Sequence, residues 1–528
     1  MPASADTATA TLAFLASLEA EASRDQAAAS TREAYRSAQQ NRLNRDWMPS
    51  LMSGDAAIGE SWPLTTARIR DQVRNEPILK KAVSALTKHI VGTGISSFAD
   101  VLLSTEDLHD DFNFEADELF QEWAEDECDV EGRHSFSDMQ SLAFRECITV
   151  GEVILLRCAL PDSNRLTPLC YQLLEAEQID ETKHQLAGPG QNAIVRGIEY
   201  DLHARPVAYW LHLDHPYDYF QRTSANSVRV PADRVIHLFF PGRPSEGRGI
   251  SWFSALMQTA RDSDHLVGNE LTASAIAALL TVLYKRGNGG TSQGTGFGGQ
   301  EGETIDDRYN PGFKLGKGTV SEVTDVDDIK VIQSERPGPN IPGFVKFLLQ
   351  LGSMGADLSY LRLTSDYSQS SYTSARGAHL DDDATFRPIQ HWLARALVKP
   401  IRRAVQRQFA ALGRYRSVST GLFFAQQRRF QRLHLQPPGR DQLDPAGETT
   451  ASADRVRYLF SDWDSECGAR GKNFRRLVLK QKQQRAFAAR HGVPLDLSPN
   501  PQLPPPETTE EEQPAAIADD DTDNDTEE

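Results

Sequence analysis

The chain has 528 residues, 39% of them hydrophobic and 25% charged, and a formal net charge of −18. That length is ample for a sizeable core and for about three or four domains, and the composition excludes a wholly disordered chain, a collagen-like fibre and a disulfide-stapled miniprotein. No run approaches the roughly 20 apolar residues of a membrane span.

The N-terminus lacks a basic region ahead of an apolar run, so no signal peptide is expected. Residues 1–55 read as helical but poorly anchored, rich in Ala, Arg and Gln. From Ser61 the pattern tightens. Thr66–Asn75 predicts a short helix, and Asn75-Glu76-Pro77 caps the next, Ile78–Val91, which stops at Gly92. Phe112, Ala116, Leu119, Phe120 and Trp123 fall at helical spacing and give one apolar face.

Residues 150–240 change period. Val150–Leu160, Leu169–Leu174, Ile194–Asp201, Pro206–Leu213, Val228–Pro231 and Arg234–Phe240 are short β-type runs separated by turn residues. The fold class is therefore α+β. A helical pattern from Trp252 to Tyr284 precedes a Gly-rich segment at 287–303, a small β-type region to Ile332 and a break at Pro337–Pro342. A helix over Gly343–Met354 leads to the polar stretch Thr364–Ser374, which carries one charge, Asp366. A long helical pattern then runs to Leu412 with kinks expected at Pro388 and Pro400. Residues 440–498 read as mostly helical, and there is no internal repeat.

Charge is unevenly placed. Glu507–Glu528 holds eleven acids and no Lys or Arg, and removing them takes the net charge from −18 to −7. This tail, with the Pro-rich Pro499–Pro506 ahead of it, is expected to be disordered. Arg395–Arg440 has eleven Lys or Arg and no acid; Gly471–Arg490 has seven and no acid. Each run reads either as a solvated helix face or as a surface that meets phosphate. In the second, Arg475, Arg476 and Lys480 are the candidate phosphate-facing cations.

The five cysteines, at 128, 147, 158, 170 and 467, contain no CxxC pair and are expected to be reduced thiols of a cytoplasmic compartment. Gly312-Phe-Lys-Leu-Gly316-Lys317-Gly318 is one residue short of a phosphate loop and lacks Ser or Thr after the lysine. Gly294–Gly299 has no strand before it or helix after it, as a dinucleotide fingerprint needs. Asp381-Asp382-Asp383 splay over roughly 300° of one helix, where two-metal chemistry needs convergent carboxylates; a solvated helix face is expected. His203, His212 and His215 have no cysteines or second His pair at zinc spacing. No catalytic residue, cofactor or metal is expected.

Several segments together resemble the portal proteins of lambda-like tailed phages. They are Ile69–Pro77, Lys81-Ala-Val, Val91–Ile95, Gly151-Glu152-Val153, Arg196–Glu199, Pro206–Trp210, Val230–Phe239, Arg243–Ser251 and Pro311-Gly312. The most recognisable are Ser365-Asp366-Tyr367-Ser368 and Tyr372–Arg376. The resemblance covers about residues 60–490 and lies in order and spacing rather than in any one motif. Gln369-Ser370-Ser371 and Gly377-Ala-His379 are more polar than that pattern, and the family does not require an acidic tail.

The resemblance implies a portal fold: α/β wing, helical stem, small clip, long channel helix and helical C-terminal crown. On that plan 1–59 is an N-terminal arm, 60–248 wing, 249–286 and 340–361 stem helices, and 287–339 a clip with the Gly-rich segment. Residues 362–374 are the tunnel loop, 375–438 the long wing and channel helix, 439–498 crown and 499–528 the tail. It further implies a dodecameric ring at a capsid vertex of the virion, assembled in the host bacterial cytoplasm, with double-stranded DNA passing through its channel. Implied partners are further copies of the chain, the terminase large subunit, head-completion and connector proteins, and major capsid and scaffold proteins; no membrane is involved. Arg362, Thr364, Ser365, Asp366, Tyr367, Ser368, Gln369, Ser370, Ser371 and Tyr372 would line the channel. Two other classes stay open at this point: a metal-dependent nucleic-acid enzyme using Asp366 and Asp381–Asp383, and a non-ring capsid adaptor.

Overall fold

The structure is a computed structural model. It describes residues 42, 46, 48–103, 109–219, 226–278, 283–285, 321–323, 341–439 and 444–493. Most of the arm, the Gly-rich segment, nearly all of 287–339 and the acidic tail lie outside the described residues.

Helices form where the apolar period is clear. Ser53 accepts from the Ala56 N–H and opens α1 (Gly54–Gly59). α2 (Trp62–Asn75) and α3 (Pro77–Ile90) each carry proline in the first turn, where no N–H is needed. β1 (Ser96–Ala99) follows. α4 (Asp110–Asp126) buries Phe112, Ala116, Phe120 and Trp123, four of the five expected face residues, with Leu119 half-buried. α5 (Phe136–Thr149) was not foreseen, although Phe136, Met139, Ala143, Phe144 and Cys147 recur at helical spacing and are all buried.

The β-type runs become β2 (Glu152–Ala159), β3 (Leu169–Leu174), β6 (Pro206–Leu211), β7 (Val228–Pro231) and β8 (Val235–Phe239). Between them, the run expected as one strand at Ile194–Asp201 is two, β4 (Ala193–Val195) and β5 (Ile198–Tyr200). Arg196 and Gly197 turn the chain with φ of 48° and 80°. A two-residue turn with both φ positive matches the twist of the flanking strands. The strands build a three-stranded sheet in the order β3-β2-β8 and a four-stranded antiparallel sheet in the order β4-β5-β6-β7.

α6 (Met257–Ala278) is shorter than the helix expected over 249–286, and β9 (Leu283–Lys285) pairs with β10 (Ser321–Val323) within the last part of that range and beyond it. α7 (Ile341–Gly355), α8 (Tyr360–Thr364) and α9 (Tyr372–Leu393) follow. The long helix expected over 375–438 ends at Ala411. α9 passes Pro388 and runs through a π turn, Ala394–Val398, into α10 (Lys399–Ala411). The π turn stands immediately before Pro400, whose missing N–H interrupts the α ladder. Then come α11 (Thr420–Ala425), α12 (Gln427–Phe430) and β11 (Leu433–Gln436), which pairs antiparallel with β1. The helical reading of 440–498 holds through α13 (Pro445–Arg457), α14 (Trp463–Ala469) and α15 (Phe474–Arg490).

Two compact units are interleaved in the chain, and the 60–248 stretch is divided between them. The first takes the described residues up to Val83, Arg145–Leu156 and those from Leu173 to Ala356. Its cores are Ile154, Leu174, Ile179, Ile198, Tyr209 and Leu211, and a cluster of Ile58, Trp62, Val150 and Ala176. The second takes Ser84–Phe144, Arg157–Gln172 and the described residues from Asp357 on. Its core is aromatic: Phe112 meets Tyr415, Phe423 and Phe430 with ring centroids 5.0, 6.4 and 5.1 Å away, and Trp123 packs on Phe120 and Phe136.

Candidate functional site

The expected loop at 362–374 is narrower than its sequence range. α8 takes residues up to Thr364, α9 begins at Tyr372, and residues 365–371 connect them. Ser365 closes α8 at φ 56°. Local hydrogen bonds then shape the connection. Ser368 donates to Asp366 Oδ1 from its N–H (3.0 Å) and from its hydroxyl (2.6 Å). The Ser370 hydroxyl donates to the Tyr367 carbonyl (3.0 Å). Ser371 caps α9 by accepting from the Ser374 N–H (3.2 Å). Tyr367 stacks on His379 and, with Tyr372, is exposed. Residues 365–369 are all exposed.

The root of this loop is fixed by Asp382. Its carboxylate accepts from the Ser359 N–H (2.8 Å), the Ser359 hydroxyl (2.7 Å) and Arg362 Nε (3.2 Å). Arg362 also donates to His89 Nε2 at 3.0 Å, and His89 stacks on Phe386. The solvated face expected for Asp381–Asp383 is therefore corrected: Asp381 is exposed, Asp382 is buried and Asp383 half-buried. Burial pushes the Asp383 carboxyl up, against the pull of Arg362 and Arg387. Sequence spacing could not reveal this, because the partners of Asp382 come from a preceding helix. Beside the node lies a cavity of about 360 Å³ lined by Lys88, His89, Arg362, Asp383, Arg387 and Gln390. Arg362 is held inward rather than standing free.

Several cations of the basic runs are paired from elsewhere in the chain. Arg475 pairs with Asp100 at 2.8 Å, and Arg476 lies 3.8 Å from Asp117 with its guanidinium over the Phe98 ring. Lys480 is exposed and makes no ion pair among the described residues. In the other run Arg402 is buried, pairs with Asp117 at 2.6 Å and lies over Phe120, and Arg432 reaches Asp100 at 3.4 Å. Arg429 donates to the carbonyls of Leu102 and Leu103.

The most enclosed charged cluster was not foreseen as a cluster, although its residues carry the resemblance. Glu152 on β2 is fully buried and takes Arg248 Nε at 2.7 and 2.8 Å from its two oxygens, the Gly249 N–H at 3.1 Å and His237 Nε2 at 2.9 Å. Arg248 also donates to the carbonyls of Arg196 and Ala176 and lies over Trp62. Burial alone would push the Glu152 carboxyl up, but Arg248 and His237 bring it down to about 2. Gly151 and Gly249 must be glycine here, because a Cβ on Gly249 would stand 2.1 Å from the Gly151 carbonyl oxygen. The Glu152 carboxylate, the Arg248 guanidinium, His237 Nε2 and the Gly249 N–H bond to one another, which makes the cluster a structural lock.

One further group gathers metal-ligating types. Glu175, Glu177 and His215 place donor atoms within 4.8 Å of one another. The site is already occupied by a cation of the chain itself: Arg70 contacts Glu175 at 3.1 Å, Glu177 at 2.6 Å and also Glu146. Of the three histidines weighed for zinc, only His215 belongs to it.

Residues 40–390 match the family described as phage portal protein, lambda family. A probable portal protein of Halomonas phage phiHAP-1 is 26% identical over 373 residues, covering 69% of this chain and 70% of that one. Portal protein B of Escherichia phage lambda is 22% identical over 474 residues, covering 83% and 86%. Among solved structures, the neck of a native gene transfer agent particle aligns with 12% identity over 77% of this chain and 93% of that one, at a TM-score of 0.37. The buried Glu152–Arg248 lock and the loop at 365–371 both fall inside the matched range. The chain belongs to the lambda family of phage portal proteins.

Proposed function

We propose that copies of this chain close into a ring at one capsid vertex, and that double-stranded DNA passes through its channel against residues 365–371. On this reading the chain supplies no catalysis. The terminase large subunit, head-completion and connector proteins dock on it, and major capsid and scaffold proteins surround it as the head assembles in the host cytoplasm. Family membership supports the ring. The observation that carries the channel role is the loop itself: seven exposed or half-exposed residues, one charge, rooted by the buried Asp382 node. The hydroxyls of Ser368 and Ser370 already donate to Asp366 and to the Tyr367 carbonyl. A passing phosphate must compete with those bonds, so contacts form weakly and break easily. Arginines in their place would hold DNA by counterion release, close to one unit of salt slope per phosphate neutralised.

Electron microscopy of the purified full chain tests the ring: closed particles with a central hole are expected, and a population of monomers or open filaments would sink it. For the loop, Gln369→Arg with Ser370→Arg leaves the Asp366 turn and the Ser371 cap in place. The variant should form normal rings yet package DNA poorly at low salt, recovering as salt rises. Normal packaging by normal rings at low salt would remove this loop from the DNA path.

A further inference from the structure

β2 and β3 are neighbours in the three-stranded sheet, and each carries one cysteine. Cys158 is half-buried and Cys170 is buried; both are thiols here. The Leu160 N–H donates to the Pro168 carbonyl at 2.7 Å, which sets the register of the hairpin. Two residues back along β2 and two on along β3, Cys158 stands opposite Cys170. Two further steps of the same kind bring Ile154 opposite Leu174, and those two do share one core cluster. Opposite residues of an antiparallel pair project to the same face, so the two side chains leave their strands side by side. Such a pair lies about 5.5 Å apart at Cα, inside the roughly 4.4–6.8 Å that a disulfide spans. The Cys170 thiol is pushed up to about 11, first by burial and next by the charge of Cys158, as expected of close neighbours.

A metal ion is the wrong use for the pair. Among the described residues no third ligating side chain gathers on these two sulfurs, and a soft metal needs three or four ligands. Cys128 comes near through its backbone, where its carbonyl accepts the Tyr171 N–H, but its thiol donates to the Ala124 and His134 carbonyls. We propose that Cys158 and Cys170 are a redox-closed pair, an open dithiol in a reducing compartment and a disulfide across the β2–β3 hairpin in an oxidising one. The oxidant is a small disulfide such as oxidised glutathione. The Cys158 thiolate, on the more accessible side, attacks one sulfur of the oxidant, forms a mixed disulfide and expels one glutathione thiolate, which takes up a proton. With Cys158 tied up, its charge no longer opposes ionisation of Cys170. The Cys170 thiolate then attacks the Cys158 sulfur, closes the link and expels the second glutathione, so two electrons pass from the cysteines to the oxidant. The closed link fastens a turn whose tip carries contacts: Leu166 donates its N–H to Glu127 Oε1 at 2.7 Å, and its carbonyl accepts from Arg414 Nε at 3.1 Å. The inference stands apart from the ring reading, because the pair lies within one chain.

The test uses the purified full chain, reduced and then held folded in oxidised glutathione. The parent should lose two of its five thiols, and dithiothreitol should restore them. Trypsin cuts after Arg157 and Arg165 and so parts the two cysteines. A linked pair of peptides, one with Cys158 and one with Cys170, should appear in the unreduced digest and vanish on reduction. Cys158→Ser and Cys170→Ser should each abolish that pair, and in the second Cys158 should stop at the mixed disulfide. The parent's digest decides the question even if a serine variant folds poorly. A parent that keeps all five thiols overturns the inference, as does one that stops with glutathione on Cys158 or links Cys170 to Cys128 instead. Monomers and rings answer this test alike, so its failure would leave the ring reading standing.

Discussion

Glu146 and Glu152 stand six residues apart and respond to pH in opposite directions. Burial, with Glu175 and Glu177 nearby, pushes the Glu146 carboxyl up to about 7 despite Arg70. Its folded form binds a proton that the unfolded chain has released, so its stabilising effect is complete below about 4.5 and is lost as pH rises through 7. Glu152 is the reverse: held at about 2, it contributes above about 4.5 and loses that contribution as pH falls toward 2. Glu146→Gln keeps an acceptor for Arg70 and removes the titration. The parent's stability should fall between pH 5 and 8 by at most about 1.4 kcal/mol per pH unit, and the variant's curve should be flatter and higher at pH 8. Parallel melting curves for the two proteins would show that Glu146 does not titrate in this range. Glu152→Gln should cost about 3–5 kcal/mol at pH 7, because it removes the nearer of the two carboxylates facing the buried Arg248 guanidinium and leaves only Glu181, at 3.4 Å. Urea unfolding measures this, and a loss under about 1 kcal/mol would mean that Arg248 finds another partner.

At the scale of elements, strand β2 and the 247–251 segment are joined where Gly151 and Gly249 touch backbone to backbone. Gly249→Ala puts a methyl group into the Gly151 carbonyl, and neither atom belongs to a flexible side chain. The strain and overpacking should cost about 3 kcal/mol or more, read as a lower melting temperature and faster amide exchange in β2 and β8. A variant as stable as the parent would mean that the two segments part without loss. Local periodicity made many elements legible in the sequence, such as the Phe112–Trp123 face and most strands of the 150–240 region. What escaped was pairing between distant segments. β1 and β11 are four residues each and gain their order only from each other, with Ser96 opposite Gln436. The hairpin at Arg196-Gly197 hid because Arg stands where Asn or Gly would have signalled the turn. The polar loop was legible as a loop, but its Asp382 root was not, since the run of three aspartates looks alike until Ser359 and Arg362 reach one of them.

The same blindness to distance governs charge across the whole molecule. Two runs without a single acid suggested exposed cationic surfaces, yet Asp100 and Asp117 reach Arg402, Arg432, Arg475 and Arg476 from elsewhere in the chain. Arg395, Arg407, Lys480, Lys482, Arg485 and Arg490 stay exposed, but the acids outnumber the cations, and eleven of the negative charges behind the net −18 lie in Glu507–Glu528. In a ring every copy brings its full charge beside the next. Like charges on neighbours oppose closure, and salt screens them over about 8 Å at physiological ionic strength. The tail has Ile517 as its one large apolar residue, so its removal subtracts charge and little apolar contact. Deleting Glu507–Glu528 lowers the charge per copy from −18 to −7. The truncated chain is therefore expected to keep its melting temperature, to form the same rings, and to form them at lower salt than the parent. Particle counts by electron microscopy across a salt series, at one protein concentration, decide it. A truncated chain that no longer assembles would make the tail part of the ring's architecture, and one with unchanged salt dependence would show that its charges stand too far from their neighbours to matter.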